Sequence, residues 1–174
     1  MQELRIPKER IAVLVGKEGT TKRKIEKETK TKLTISSEEG DVVIKGDPLD
    51  CFITLDVIKA IGRGFNPKIA LQLINEDIKL EVVSILEHAG KAKKRLLSIK
   101  SRLIGTRGKA RHQIETLTNT DIEVYGKTIS IIGQSEDVGI ASQAVISLIE
   151  GSKHGNVYAY IQKRKDNTQD SKSL

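Results

Sequence analysis

Two four-residue frames, Gly16-Lys17-Glu18-Gly19 and Gly105-Thr106-Arg107-Gly108, have the composition that lets an extended anion approach the main chain. A phosphate backbone comes close to a protein backbone only where side chains are absent, and glycine also permits a sharp turn between helices. A helix that opens directly after such a frame presents its first amides, which favour negative charge. Around the second frame, Thr106, Arg107, Lys109, Arg111, His112 and Arg102 add donors and positive charge. Around the first, Lys17, Lys22 and Arg23 do the same, but Glu18 sets a carboxylate where a phosphate would lie. The second frame therefore ranks above the first.

A lone G-x-x-G is as readily a bare turn between two helices. Here the surroundings repeat with it at an offset of 89: Ile25 falls on Ile114, Glu26 on Glu115, Thr29 on Thr118, Leu33 on Ile122 and Ile35 on Val124. The formal net charge of +7 is also unevenly spread. Residues 91–114 carry nine Lys or Arg and no acid, and residues 17–32 carry seven basic and three acidic groups. Residues 47–90 net −3 and residues 115–151 net −5. Positive charge thus gathers around the glycine frames, where a polyanion would be held.

The elements that must position these frames follow from periodicity and turn residues. In the first repeat, Gln2–Ile6 reads as a strand and Lys8–Val15 as a helix entered through Pro7. A second helix runs over Thr20–Lys30, and strands cover Leu33–Ser36 and Val42–Lys45. Asp47 and Pro48 cap a last helix, Leu49–Ile61, with Phe52, Leu55, Ile58 and Ile61 on its packing face. The second repeat has a strand at Leu80–Leu86 and a longer approach, Glu87–Ile104, to its frame. A helix at Lys109–Leu117, strands at Ile122–Val124 and Thr128–Ile132, and a helix at Ser135–Ile149 follow. Asn66 and Pro67 open a connecting helix whose Ile69, Leu71, Leu73 and Ile74 are too apolar for a free spacer. The tail after Ile161 is polar and non-periodic, and is expected to be disordered.

Several function classes find no support. His88, His112 and His154 show no metal-ligand spacing with Cys51 or one another. The frames lack the longer GxxxxGK[ST] pattern of a nucleotide-triphosphate loop. No catalytic constellation is present, so no enzymatic activity, cofactor or metal is expected. The single cysteine excludes an internal disulfide framework and fits a reducing cytoplasm. The N-terminus has no apolar h-region, and no stretch reaches the ~18 apolar residues of a membrane span. Only Phe52, Phe65, Tyr125, Tyr158 and Tyr160 are aromatic, too few to stack bases on a sheet surface.

The repeats resemble type I KH domains, β-α-α-β-β-α with GxxG between the paired helices. The strings AIGRGFNPKIALQLI (Ala60–Ile74), IKSRLIGTRGKARHQIE (Ile99–Glu115), VYGKTISIIG (Val124–Gly133) and HGNVYAYI (His154–Ile161) resemble, more narrowly, archaeal members of the Krr/Pno (partner-of-Nob) family of small-subunit ribosome assembly proteins. The resemblance implies an α+β chain of two tandem KH domains joined by a short helical linker. They would cover residues 1–64 and 80–161, with a linker at 65–79 and the tail at 162–174.

It further implies binding to the single-stranded 3′ region of pre-16S rRNA and assistance to its maturation. The implied partners are a Nob-type endonuclease, an rRNA dimethyltransferase and the alpha subunit of initiation factor two. A KH groove holds bases between its GxxG loop and an aliphatic wall, for which Leu33 and Ile35, or Ile122 and Val124, would serve. Eukaryotic relatives have a degenerate first GxxG, whereas GKEG here is intact, which leaves open whether the first domain takes RNA, protein or both. The alternatives are a general RNA binder in translation or decay, and a protein-interaction scaffold.

Overall fold

Val42 and Ile44 lie two residues apart, so both side chains point to one face of a strand, and the first half of the chain is built over them. The computed structural model of the chain describes residues Met1–Ser173. They divide into two units, Met1–Ile78 and the remainder from Lys79.

The first unit runs β1 (Gln2–Arg5), α1 (Lys8–Val15), a 3-10 turn (Lys17–Gly19), α2 (Thr20–Thr29), β2 (Lys32–Ile35), β3 (Asp41–Lys45) and α3 (Pro48–Gly62). The sheet order is β1-β3-β2, antiparallel throughout, with Ile44 opposite both Gln2 and Leu33. Ile11 and Leu14 of α1, Ile25 of α2, and Val57, Ile58 and Ile61 of α3 are buried with Val42 and Ile44. Cutting any one large aliphatic side chain here to Ala would cost about 2–5 kcal/mol.

Helix ends carry the expected caps. Asp47 accepts from the Leu49 amide at 3.0 Å with Pro48 at the first helical position. Asn66 accepts from the Lys68 amide at 2.9 Å and opens α4 (Pro67–Ala70). A 3-10 turn, Leu71–Ile74, follows, and both pieces pack on α3 with Phe65, Ala70 and Leu73 buried. The segment expected as a linker is thus part of the first unit as far as Ile78. The packing face of α3 also differs from expectation, because Phe52 is 59% exposed beside an exposed Leu49. The helix is apolar nearly all round, and its buried face is the one carrying Cys51, Thr54, Val57, Ile58 and Ile61.

The second unit repeats the order with two additions: β4 (Ile78–Ser84), α5 (Ile85–Ala89), α6 (Lys93–Ile104), a 3-10 turn (Thr106–Gly108), α7 (Lys109–Thr118), β5 (Asp121–Tyr125), β6 (Thr128–Gln134), α8 (Ser135–Ile149) and α9 (His154–Lys172). The sheet order β4-β6-β5 matches that of the first unit, and a two-residue turn, Gly126-Lys127, closes the β5–β6 hairpin between Tyr125 and Thr128.

The first addition is α5 with the early turn of α6. An offset of 89 from α1 accounts only for Leu97–Ile104 of α6. The second addition is α9. The polar tail expected to be disordered from residue 162 is helical to Lys172. One stripe explains it: Val157 and Ile161 are buried, and a turn later Lys165 meets Asp137 at 2.6 Å. Lys172 then meets Glu136 at 3.1 Å. The stripe changes from apolar to ionic while remaining on one helix face.

Candidate nucleic-acid interface

Each frame bends the chain between two helices, and the two bends match residue for residue. Gly16 has φ 72°, ψ 173° and Gly105 has φ 73°, ψ 176°. Glu18 (51°, 28°) and Arg107 (55°, 31°) both take the left-handed region, as do Gly19 (75°, 14°) and Gly108 (73°, 15°). The first glycine closes the preceding helix, Gly16 N donating to Ala12 O at 2.9 Å and Gly105 N to Ser101 O at 2.8 Å. A Cβ on Gly105 would stand 2.7 Å from that of Ala110, so no other residue fits. A Cβ on Gly108 would meet nothing within 4 Å. That face of the loop is open to a close-lying ligand.

The helices after the loops, α2 and α7, begin at left-handed glycines with no side-chain cap. The first amide of each helix, that of Thr20 or Lys109, donates back to Lys17 O or Thr106 O of the turn, and the amides that follow lie where the helix dipole is positive. Below each loop the repeat is carried by hydrogen bonds. The Glu26 carboxylate accepts from Leu33 N at 2.8 Å and that of Glu115 from Ile122 N at 2.8 Å, tying helix to strand. Thr29 pairs with Thr31 and Thr118 with Thr120, each below a left-handed helix end at Lys30 or Asn119.

The cations named from sequence separate into two groups. Lys17, Arg23, Arg107, Lys109 and the His112 ring are exposed, and Lys22 is half-buried. Arg23 places Nη1 3.4 Å from where a Cβ of Gly19 would stand, beside the loop. His112 has Nδ1 3.9 Å from Glu115.

Arg102 is already engaged within the fold. Its guanidinium donates to Leu148 O at 2.7 Å and Ser152 O at 2.6 Å, closing the carbonyl end of α8. The last turn of α8 has no basic residue of its own, which is the sequence signal for such an outside donor. Arg10 does the same in the first unit, donating to Ile61 O at 2.8 Å and Phe65 O at 2.9 Å. Arg111 is also engaged, with Nη1 3.5 Å from Glu123 and Nε 4.0 Å from Glu115.

The aliphatic wall is corrected in part. Leu33 and Ile122 are each 3% exposed and belong to the cores, because they are the strand residues turned most directly under the helices. Ile35 and Val124, two residues on, keep partial exposure at the strand ends. No group of three or more His, Cys, Asp or Glu able to hold a metal occurs among the described residues. No helix among them is long and apolar enough to cross a membrane.

Comparison with known proteins agrees with this arrangement. The family model of the eukaryotic type KH-domain (KH-domain type I), that of the second domain of Pno1, matches residues 79–166, and the general KH domain model matches residues 1–60. A KH domain-containing protein of Methanocaldococcus jannaschii is 42% identical over 93% of this chain and 73% of its own length. The pre-rRNA-processing protein pno1 of Aspergillus fumigatus is 32% identical over 62% of this chain, a match spanning 44% of that longer protein. The structure of a complex of Dim2p, the initiation factor 2 alpha subunit and rRNA from Pyrococcus horikoshii superposes with a TM-score of 0.89 at 43% identity, covering 95% of this chain and 94% of that one. With both modules matched and a relative of this identity spanned over nearly three-quarters of its length, the chain belongs to the archaeal Pno1/Dim2-type family of tandem type I KH-domain proteins.

Proposed function

We propose that this chain is a non-catalytic, cytoplasmic RNA-binding factor of small ribosomal subunit assembly that holds the single-stranded 3′ region of pre-16S rRNA. The observation that carries the reading is the second frame. Arg107 and Lys109 stand exposed at a glycine-bounded loop, with the N-terminus of α7, which has no side-chain cap, behind them. The chain's likeness to a Dim2p solved with rRNA supports the same ligand. Gly105, Thr106, Arg107, Gly108, Lys109 and His112 form the main RNA set. Gly16, Lys17, Gly19, Lys22 and Arg23 form a weaker one.

The initiation factor 2 alpha subunit, present in that relative's complex, is proposed as a protein partner. A Nob-type endonuclease and an rRNA dimethyltransferase are proposed as further partners. For the first module, Glu18 favours a protein contact in place of RNA or beside it, since its loop presents a carboxylate.

The test is fluorescence anisotropy with a labelled oligonucleotide of the 16S rRNA 3′ end at physiological salt. Replacing Thr106 and Arg107 with Asp puts two carboxylates against the phosphates. Affinity should drop by about tenfold or more, while Tm holds, since exposed changes usually stay within about 0.5 kcal/mol. Binding as tight as that of the unaltered chain would overturn the reading.

A further inference from the structure

Of the four basic groups nearest the second loop, only Arg107 and Lys109 are free to meet RNA. Arg102 closes α8 and Arg111 faces Glu115 and Glu123. Lys91, Lys93, Lys94 and Arg95 are all exposed, and none is in an ion pair among the described residues. These four lie in the stretch that the first repeat lacks, so the GxxG turn does not require them.

Their placement is locally unfavourable. Lys93, Lys94 and Arg95 occupy the first turn of α6, with no acid there and an uncapped Ala92 before them. Positive charge at that end of a helix opposes the dipole, and the four also repel one another. An arrangement that weakens the free helix fits one that is relieved when a polyanion arrives.

An apolar component accompanies the charge. Leu97 is 68% exposed and Ile104 is also exposed. Lys93, Leu97, Lys100 and Ile104 stand at i, i+4, i+7 and i+11, one stripe that alternates cation with aliphatic and ends at Gly105. Ile99 and Leu103 hold the opposite face in the core. The twelve residues of α6 span about 18 Å, the length of about five stacked nucleotides at 3.4 Å each.

We infer that the exposed face of α6, with the segment just before it, is a second RNA subsite, a track along which single-stranded RNA continues from the loop clamp with phosphates on Lys91, Lys93 and Lys94 and a base or ribose on Leu97, while Arg95, on the Ile99 side of the helix, adds longer-range attraction. The inference rests on the RNA-binding reading above. It extends the footprint past the roughly four nucleotides that a KH loop clamps. An acidic protein surface is the other chemistry such a face could take, and free cations with no polar specificity group between them favour RNA.

The test uses the full chain and three oligonucleotides of the 16S rRNA 3′ end: one of about six nucleotides, enough to fill a clamp of roughly four, and two extended by about eight more on the 5′ or the 3′ side. Changing Lys91, Lys93, Lys94 and Arg95 together to Gln should abolish the affinity gained on lengthening the RNA. It should do so for one of the two extended RNAs only, since a single strand leaves the clamp at the α6 end in one polarity. The log–log salt slope for that RNA should flatten by about two units, at roughly 0.7 per contact. Leu97→Ser should weaken the same RNA without changing the slope.

Gln preserves helix propensity, and circular dichroism of the variant should show the helix intact. If the Gln variant keeps the full length-dependent gain while the Thr106→Asp, Arg107→Asp variant has lost the six-nucleotide RNA, the track is wrong and the clamp stands. If the loop variant still binds that short RNA normally, the clamp itself is wrong.

Discussion

Glu18 and Arg107 occupy one backbone conformation, φ 51°, ψ 28° and φ 55°, ψ 31°, at the same step of two superposable loops. The scaffold is shared and the charge is opposite. Whatever the first loop meets encounters a carboxylate where the second presents a guanidinium. The two KH modules therefore have one loop conformation and two electrostatic characters.

Exchanging those charges should move RNA binding in opposite directions. Arg107→Glu should weaken binding of a 16S 3′-end oligonucleotide, and Glu18→Arg should strengthen it and steepen the salt slope by about 0.7 for one added phosphate contact. Anisotropy titrations at several salt concentrations read both. A Glu18→Arg slope identical to that of the unaltered chain would mean the first loop does not touch RNA.

Arg102 should behave as a structural residue despite lying in the basic run. Arg102→Gln removes two charge-assisted bonds to the end of α8 and should cost about 1–2 kcal/mol, seen as a Tm lowered by several degrees. RNA affinity, measured well below that Tm, should change little. A normal Tm with lost RNA binding would reverse the assignment.

Much of this was legible in the residues themselves. Gly16, Gly105 and the matched pairs Glu26/Glu115 and Thr29/Thr118 repeat because each makes the same hydrogen bond or turn in both modules. The caps Asp47-Pro48 and Asn66-Pro67 act locally, so local sequence reveals them. What failed was orientation. Arg102 and Arg107 look alike along the chain, and only the rotation of α6 sends one towards α8 and leaves the other at the loop. Phe52 sits on a helix apolar nearly all round, where spacing does not choose a face. Leu33 and Ile35 share a strand face, yet their depth depends on where the helices above them end.

The loop glycines should differ in how much they tolerate. At Gly105, φ 73° with ψ 176° is close to glycine-only, and an added Cβ would also strike Ala110. Gly105→Ala should cost about 1–3 kcal/mol from the backbone, with the clash adding to it. At Gly108 the conformation is left-handed and the space open, so Gly108→Ala should cost about 1 kcal/mol. Thermal melts rank the two, and equal losses would show that the clash with Ala110 relaxes.

The last helix should be a working part of the second module. Val157 and Ile161 bury its first turns, and the Lys165–Asp137 pair at 2.6 Å extends the attachment to the start of α8. Asp137 and Glu136 lie in the first turn of α8, where negative charge complements the dipole. Lys165 and Lys172 would otherwise be loose cations on a polar helix. Removing residues 162–174 should therefore lower Tm, whereas removal of an unstructured tail would leave it unchanged. Lys165→Ala alone should account for about 1–3 kcal/mol of that loss, the range of a charge-assisted bond whose partner is left partly buried. Raising salt should close only part of the gap between the unaltered chain and the Lys165→Ala variant, because a partly buried pair is screened less than an exposed one. A truncated chain with an unchanged melt would show that α9 ends, energetically, at Ile161.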